Sequence, residues 1–300
     1  MQELPDIMVA AAPAFLVLIA VGIITSTLRR DGRYRGTDAA ANIVLGLGNM
    51  LIAVALGGVV LLVFSWLYSH RLWTLPTDTW WVWVLCFFAD DFTYYWFHRV
   101  SHESRWFWAS HSVHHSSDRY NLSTSLRQTW TGTISGSFLF WAWMPLLGFH
   151  PAMVLFMQSA NLIYQFWIHT EAINRMPGWF EAVFNTPSHH RVHHGSDEEY
   201  LDRNYAGTLI LWDKLFGSFF PEGRTPRYGL THPVGTDNPL RIAFHEWAGI
   251  WHDLRRARSL GEVFNILVQP PGWSADGSSL TTKQVRTRQQ TPAGLPAESK

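Results

Sequence analysis

The chain has 300 residues, and its 23 basic and 23 acidic side chains give a formal net charge of zero. This balance disfavours a nucleic-acid partner, because binding to phosphates requires an excess of basic residues. The only cysteine is Cys86, which excludes an internal disulfide, a thiolate zinc site and a cysteine-ligated iron–sulfur cluster.

Four apolar segments without Asp, Glu, Lys or Arg occur in the first part of the chain. They are residues 8–28, 43–69, 129–149 and 151–168. Most are long enough to cross the roughly 30 Å hydrocarbon layer of a bilayer as helices. A fifth segment, residues 78–97, is strongly aromatic but contains Asp90 and Asp91. The pattern predicts an all-α integral membrane fold with four to five transmembrane helices.

Two interpretations remain open for Asp90 and Asp91. Acidic residues at membrane depth are costly and usually face the protein interior or a polar cavity. Either both lie near the membrane interface, or at least one accepts a hydrogen bond from His98 or His102.

Basic residues follow the first apolar segment and are scarce after the second. Four arginines lie within residues 29–35, whereas the loop after the second segment has only Arg71. The positive-inside rule therefore places residues 29–35 in the cytoplasm. The third span then brings His98 to the cytoplasmic side, and a hairpin over residues 129–168 returns the chain to that side at His169.

We predict a single domain over residues 1–270, with a cytoplasmic helical cap formed by residues 98–128 and 169–268. Residues 271–300 contain too little apolar surface to fold and are expected to be a disordered tail. In a bacterium the chain would lie in the cytoplasmic (inner) membrane, and in a eukaryote it would lie in the endoplasmic reticulum.

Nine of the 15 histidines lie in two short windows, residues 98–115 and 189–194. Histidine is the commonest protein metal ligand, and neutral imidazole suits zinc, copper, iron and nickel. On a helix, residues three or four apart share a face, so histidines within each window can point into one site. Adjacent histidines differ by about 100° around the helix, which favours two neighbouring metal ions over one. The cap is therefore predicted to hold a histidine-rich dimetal site.

Ten histidines are candidate ligands for this site. The set is His98, His102, His111, His114, His115, His169, His190, His193, His194 and, with less support, His189. His189 could equally bind the metal, orient another ligand or carry a proton. The remaining histidines are isolated and are expected at surfaces or interfaces; they are His70, His150, His232, His245 and His252.

Four polar residues are candidates for hydrogen bonds to these ligands, because a metal-bound histidine generally donates its other N–H to a carboxylate, a carbonyl or water. They are Glu103, Asp118, Asn121 and Glu171. For Asp118 and Asn121, ordinary capping of a loop is an equally good interpretation.

Several strings resemble the fatty acid hydroxylase and sterol desaturase superfamily over roughly residues 40–220. They are HRxxHE, HxxHHSS with NLSTSLRQ, FWIHTE, and NTPSHHRVHHG with NYAGTLILWDKLFGSF. Among them, HHSSDRYNLSTSLRQ, QFWIHTE and NTPSHHRVHHG resemble the alkylglycerol monooxygenase branch. The resemblance implies a contribution of Glu103 to activity. It also implies two iron ions held by eight histidines, which are His98, His102, His111, His114, His115, His190, His193 and His194.

The resemblance also implies a membrane-bound monooxygenase that uses O2 to hydroxylate a C–H bond of a lipid. Attack beside an ether oxygen would cleave an alkylglycerol to an aldehyde and a glycerol derivative. Attack on a sterol, an acyl chain or a head group, by hydroxylation or desaturation, is the alternative. No dinucleotide fingerprint or haem motif is present, so the electrons must come from a donor protein or a reduced cofactor such as a tetrahydropterin.

Two functions of other classes also fit a histidine-rich membrane protein. A metal transporter would place its ligands near the middle of the membrane along a pathway. A zinc hydrolase would typically use three protein ligands and a catalytic carboxylate, as in HExxH, which the chain lacks.

Overall fold

The computed structural model describes residues 7–290, and this part of the chain is helical without a β-strand. Its α-helices are α1 (Ile7–Arg29), α2 (Gly36–Ser69), α3 (Trp80–Glu103), α4 (Arg105–His115), α5 (Trp143–Leu147), α6 (Pro151–Ile168), α7 (Gly178–Val183), α8 (Pro187–His193), α9 (Leu211–Leu215), α10 (Pro239–Leu254), α11 (Leu260–Val268) and α12 (Thr282–Gln290). Two 3₁₀ helices cover Leu122–Leu126 and Ser137–Trp141. The predicted all-α class is confirmed.

Two of the described helices, α1 and α2, are long and apolar enough to cross a membrane. In each, only 6% of the most apolar window is buried. Large apolar surfaces therefore face outward, as expected for contact with lipid and not for the core of a water-soluble domain. The predicted segments 78–97 and 151–168 do form helices, α3 and α6. That these two also cross the membrane stays a prediction.

Residues 129–149 do not form the single helix predicted for them. The chain makes turns up to Gly136, continues as a 3₁₀ helix, and ends in the five-residue helix α5. Gly136 and Gly148 have φ angles of 84° and 120°, which an α-helix cannot accommodate. The prediction of a transmembrane helix here is wrong because apolar character alone does not reveal these glycine-dependent turns.

This irregular segment nevertheless runs along α2, from its first half to its end. The Trp130 indole donates to the Leu45 carbonyl oxygen at 2.9 Å. At the other end, the ring of His150 lies 5.2 Å from that of Tyr68. The chain then returns through α6, so the segment changes ends of the helical bundle as the predicted hairpin would.

Asp90 and Asp91 are buried and connect α3 to other segments. Asp90 accepts a hydrogen bond from the Trp141 indole at 2.7 Å. Asp91 accepts from the backbone N–H groups of Thr208 and Leu209 at 2.7 and 3.0 Å. Neither carboxylate hydrogen-bonds to a histidine among the described residues. Asp91 therefore fixes the region after α8 against α3, and Asp90 fixes the 3₁₀ helix Ser137–Trp141 against α3. The interpretation that one of them orients a histidine is wrong.

Residues 271–290 include a helix that the composition does not predict. This helix is α12, whose Arg286 guanidinium lies 3.5 Å from the Asp202 carbonyl oxygen. Disorder of the tail stays a prediction. Residues 291–300 lie outside the described part of the chain.

Candidate metal centre

Two groups of histidine side chains meet near the carboxyl ends of α3 and α6. The five-histidine group comprises His98, His102, His111, His115 and His193, and the four-histidine group comprises His114, His169, His190 and His194. Within each group the candidate ligand nitrogens lie within 4.8 Å of one another. Each group is therefore compact enough for one metal ion.

Helix ends supply all nine of these histidines. The last two turns of α3 carry His98 and His102, and α4 carries three more. His169 is the C-terminal capping residue of α6. The short helix α8, which begins at Pro187, carries two histidines, and its capping residue is the last of the set. Proline is favourable at a first helical position because it has no N–H to leave unpaired.

Histidines that are neighbours in sequence belong to different groups. His114 lies in the four-histidine group and His115 in the five-histidine group, and His194 and His193 divide in the same way. Adjacent helical positions differ by about 100°, so the two rings of a pair diverge. Each of these two HH pairs, His114–His115 and His193–His194, thus links the two groups.

The short loop at residues 202–205 accepts hydrogen bonds from several rings of the five-histidine group. The Nδ1 atom of His98 lies 2.7 Å from the backbone carbonyl oxygen of Tyr205. The Nδ1 atom of His193 lies 3.0 Å from the carbonyl oxygen of Arg203. A carbonyl only accepts hydrogen bonds, so both Nδ1 atoms donate and each neutral ring has its lone pair on Nε2.

The same loop supplies a carboxylate to a third ring. His102 donates from Nδ1 to Asp202 Oδ1 at 3.3 Å. Burial alone would raise the pKa of Asp202, but the hydrogen bond from His102 lowers it below its ordinary value. Asp202 and Asn204 have φ angles of 52° and 55°. Asp and Asn tolerate this left-handed conformation better than most residues.

The four-histidine group contains opposed lone pairs. His114 and His169 donate from Nδ1 to the carbonyl oxygens of Arg127 and Gln165, at 3.2 and 2.7 Å. Their Nε2 atoms therefore carry lone pairs, yet these atoms are only 3.1 Å apart. Burial lowers the pKa of His114 to about 4, so protonation does not remove the repulsion at neutral pH. A cation bound between the two nitrogens would remove it.

Further buried nitrogens lack a hydrogen-bond partner among the described residues. They are Nε2 of His102, His193 and His194. An unpaired buried polar atom costs free energy, so such atoms at one place point to a missing ligand. The nitrogens of both groups fit metal ions bound by neutral imidazole.

Glu103 and Asp118 are not in contact with the candidate ligands. Glu103 pairs with Arg99 at 3.0 Å, and 46% of its side chain is exposed. Asp118 pairs with Arg35 at 2.9 Å, and 54% of its side chain is exposed. For Asp118 the expected hydrogen bond to a ligand histidine is not formed. The contribution of Glu103 to activity stays a prediction.

Asn121 caps a helix. Its side-chain oxygen accepts from the Ser123 backbone N–H at 3.0 Å, and its amide donates to the Arg33 carbonyl oxygen at 2.8 Å. Of the two interpretations from sequence, capping is the one that the structure supports, and a contribution of Asn121 to activity stays a prediction.

Glu171 lies close to the four-histidine group without touching its rings. Its Oε1 accepts a hydrogen bond from the Tyr228 hydroxyl at 3.1 Å. Tyr228 stacks on Tyr120 with ring centroids 4.9 Å apart, and Tyr120 lies 5.1 Å from the ring of His194. Two aromatic rings therefore separate Glu171 from a candidate ligand.

His189 belongs to neither histidine group. It is buried, its ring lies 5.4 Å from that of Phe219, and it lines a surface pocket with Glu181 and Lys214. The pocket lies on the side of α8 away from the two groups, so the geometry gives His189 no direct role as their ligand.

The loop at residues 202–205 is the functional feature that sequence reasoning missed. Two of its three hydrogen bonds to histidines use backbone carbonyl oxygens, which have no side-chain signature. The only available signal is Asp202 with Asn204 shortly after the second histidine window.

Comparison with known proteins finds a family match for the region that contains these histidines. Residues 83–218 match the fatty acid hydroxylase family. The matched region includes both histidine windows and the 202–205 loop, and the resemblance seen in the sequence is confirmed.

Curated relatives extend the similarity over most of the chain. An alkylglycerol monooxygenase from Homo sapiens is 41% identical over 276 residues, which are 91% of this chain and 61% of that protein. One from Xenopus tropicalis is 38% identical over 274 residues, covering 91% and 60%. An ornithine lipid hydroxylase from Rhizobium tropici is 28% identical over 153 residues, covering 50% and 46%.

The chain thus spans about three-fifths of the length of the two alkylglycerol monooxygenases. No solved structure matches it. The outward-facing apolar surfaces of α1 and α2 are typical of a membrane protein.

Proposed function

We propose that the chain is a membrane-bound di-iron monooxygenase that oxidises an ether lipid. The observation that carries the proposal is the pair of histidine groups, with five and four members, inside the region that matches the fatty acid hydroxylase family. Its overall reaction consumes O2, a lipid C–H bond, two electrons and two protons, and yields a lipid C–OH group and water.

The choice of iron is supported by the chemistry that the proposed reaction requires. Zinc has no redox chemistry and usually takes three or four protein ligands. Iron accepts imidazole ligands and, when bound, would supply the reductive activation of O2 that attack on an unactivated C–H bond requires. We assign one iron ion to each histidine group. The 202–205 loop and the Gln165 and Arg127 carbonyl groups hold the rings in the tautomer that such binding needs.

The substrate is proposed to be an alkylglycerol, as the names of the relatives suggest. Hydroxylation of the carbon beside the ether oxygen gives a hemiacetal. The hemiacetal collapses to a fatty aldehyde and a free glycerol hydroxyl, without a further oxidant. Hydroxylation of another lipid, with a stable alcohol as product, is the second candidate, and the ornithine lipid hydroxylase among the relatives favours it.

The electrons are proposed to come from outside the chain. Its single cysteine is a buried thiol on α3, away from the candidate ligands, and the sequence has no nucleotide-binding fingerprint. A reduced tetrahydropterin or an electron-donor protein fits this requirement. The two classes can be separated by adding each donor to purified protein and measuring O2 consumption.

The site is proposed to face the cytoplasm. Both histidine groups lie at the ends of α3 and α6, and the arginine-rich residues 29–35 follow α1. The positive-inside rule favours the cytoplasm for such a segment. A metal transporter and a zinc hydrolase are disfavoured by the hydroxylase relatives.

We expect membranes that contain the chain to convert an alkylglycerol to fatty aldehyde when O2 and a reductant are supplied. With isotopically labelled dioxygen, the aldehyde should carry one labelled oxygen atom, because the hydroxyl introduced becomes the carbonyl. Prompt reduction with borohydride to the fatty alcohol keeps this oxygen, and the measurement is mass spectrometry of that alcohol.

Membranes that carry the His232→Ala variant serve as a control for the loss of one histidine, because His232 is exposed and isolated. Unlabelled aldehyde, or aldehyde formed without O2, would contradict the proposed reaction. A stable labelled alcohol from another lipid would support the second candidate.

A further inference from the structure

Helices α10 and α11 both turn an apolar face outward. Each helix has a row of exposed large apolar side chains, which are Leu240, Phe244 and Trp251 on α10, and Leu260, Phe264 and Val268 on α11. Residues at such spacings share one face of a helix. The opposite face is buried, through Ile242 and Ile250 on α10 and through Ile266 on α11. Both helices are therefore amphipathic, with an apolar stripe that residues 7–290 leave largely uncovered.

The link between the two helices carries three exposed arginines, which are Arg255, Arg256 and Arg258. Within residues 7–290, none of their guanidinium groups forms an ion pair. The acidic groups nearest in sequence are engaged elsewhere. Asp253 and Glu246 both pair with Arg105 of α4, at 2.6 and 2.7 Å. Glu262 accepts a hydrogen bond from the backbone N–H that follows Ala257, at 2.7 Å. The three arginines are therefore able to bind an external anion.

Helix α10 lies beside the first turns of α2. Ile242 and Ala243 of α10 share a buried apolar cluster with Leu45 of α2. Just before α10, Asp237 pairs with Arg35 at 2.9 Å. Arg35 belongs to the arginine-rich segment between α1 and α2, which the positive-inside rule favours at the cytoplasmic boundary of the membrane. The start of α10 is therefore at the level of that boundary.

The apolar stripe of α10 continues the outward-facing surface of α2. The Phe244 ring lies 6.4 Å from the ring of Trp130, whose indole donates to the Leu45 carbonyl oxygen at 2.9 Å. The neighbour of Leu45, Val44, is the first large apolar side chain exposed along α2. One apolar surface thus leads from a helix that is able to cross a membrane to α10. Lipid is the occupant that this continuity favours.

We propose that α10 and α11 lie in the head-group region of the membrane and bind anionic lipids. The apolar stripes contact the acyl chains, and the arginines of the link bind lipid phosphate groups. An apolar face with Trp, Phe and Leu beside exposed basic residues is typical of interfacial helices, and basic clusters recruit anionic lipids. Arg105 ties α10 to α4, so the two helices hold the histidine groups at a fixed depth. This inference concerns membrane binding and does not depend on the proposed reaction.

Lipid quenching of a fluorophore tests the proposal on the full chain in lipid vesicles. The fluorophore is attached to Phe244→Cys or to Phe264→Cys; both sites are exposed, whereas Cys86 is buried and should stay unlabelled. The probes are phosphatidylcholine and phosphatidylglycerol that carry a nitroxide on the acyl chain. We expect both lipids to quench both labels, and phosphatidylglycerol to quench about twofold to fivefold more strongly at equal mole fraction.

Replacing all three arginines of the link by glutamine should bring this ratio to about one and leave quenching by phosphatidylcholine in place. Lys283→Gln combined with Arg288→Gln is the matched control, because it removes two exposed positive charges from α12 and should leave the ratio unchanged. A label on Glu198→Cys, in the polar turn after α8, should be quenched by neither lipid.

Three results would overturn the proposal. Shielding of either label from both lipids would assign the apolar stripe to a protein contact, such as a second copy of the chain. Equal quenching by the two lipids in the chain with all three arginines would exclude selection of anionic lipid. An unchanged ratio after their replacement would show that the arginines do not bind it.

Discussion

Replacing His111 by alanine is expected to abolish lipid oxidation. His111 lies at the centre of the five-histidine group, with its Nε2 atom 2.9 Å from that of His98 and 3.1 Å from that of His115. Loss of a residue that orients a ligand typically costs roughly 10–100-fold in metal affinity or activity. Loss of a ligand itself should cost more. Product formation is measured by mass spectrometry at equal amounts of folded protein.

The same loss is expected for His169→Ala, because a reaction that needs both ions fails when either group is incomplete. His232→Ala and His252→Ala replace exposed histidines and should retain activity. Full activity of His169→Ala would show that the four-histidine group has no part in the reaction.

Replacing Asp202 by glycine is expected to weaken iron binding by the five-histidine group about 10–100-fold and to leave the four-histidine group unchanged. Asp202 is the carboxylate that accepts the Nδ1–H of His102. Glycine removes this acceptor without straining the backbone, because it tolerates the φ angle of 52° found here. The measurement is iron retained per chain after dialysis against a graded series of chelator concentrations.

The Asp202→Asn variant separates the effect of the carboxylate charge from the effect of the hydrogen bond to His102. Asparagine tolerates the same backbone conformation and still offers an oxygen to His102, so it should recover part of the affinity. Asp276→Gly removes an exposed acid from a distant turn and is the control for chain stability. Equal weakening of both histidine groups by Asp202→Gly would mean that the residue supports the general fold and does not position His102.

Histidine spacing contained most of the information about the site. The helical angle between adjacent residues separates His114 from His115 and His193 from His194, so a two-ion arrangement could be anticipated without coordinates. His169 could be added because it follows an apolar helix that ends on the same side as both windows. These inferences depend on local geometry, which the sequence carries directly.

Contacts between segments that are far apart in the sequence could not be predicted from residue spacing. The carbonyl oxygens of Arg203 and Tyr205 reach their histidines only after the chain has folded back on α3, and no side chain marks them. The sequence leaves Asp90 and Asp91 open as membrane-interface or histidine-orienting groups, but their partners are indoles, the Asn161 amide and backbone N–H groups from distant segments. Tertiary contacts decide the role of a buried carboxylate.

The segment over residues 129–149 does not form the predicted helix, although it changes ends of the helical bundle as the predicted hairpin would. Hydropathy predicted a helix, whereas Gly136 and Gly148 adopt positive φ angles and the chain forms turns. The segment still runs the length of α2 and leads into α6, so both histidine windows reach the same end of the bundle. The prediction that both windows share one end of the bundle depended on the direction in which the chain runs through this segment, and not on the conformation of the segment.

The central claim is that the two histidine groups hold two iron ions. Elemental analysis of the purified full chain, combined with Mössbauer spectroscopy of protein produced with enriched iron, tests this claim most directly. We predict two iron ions per chain in the wild type and about one in His111→Ala and in His169→Ala. An active wild-type chain that holds a single ion, or zinc in both groups, would contradict the claim.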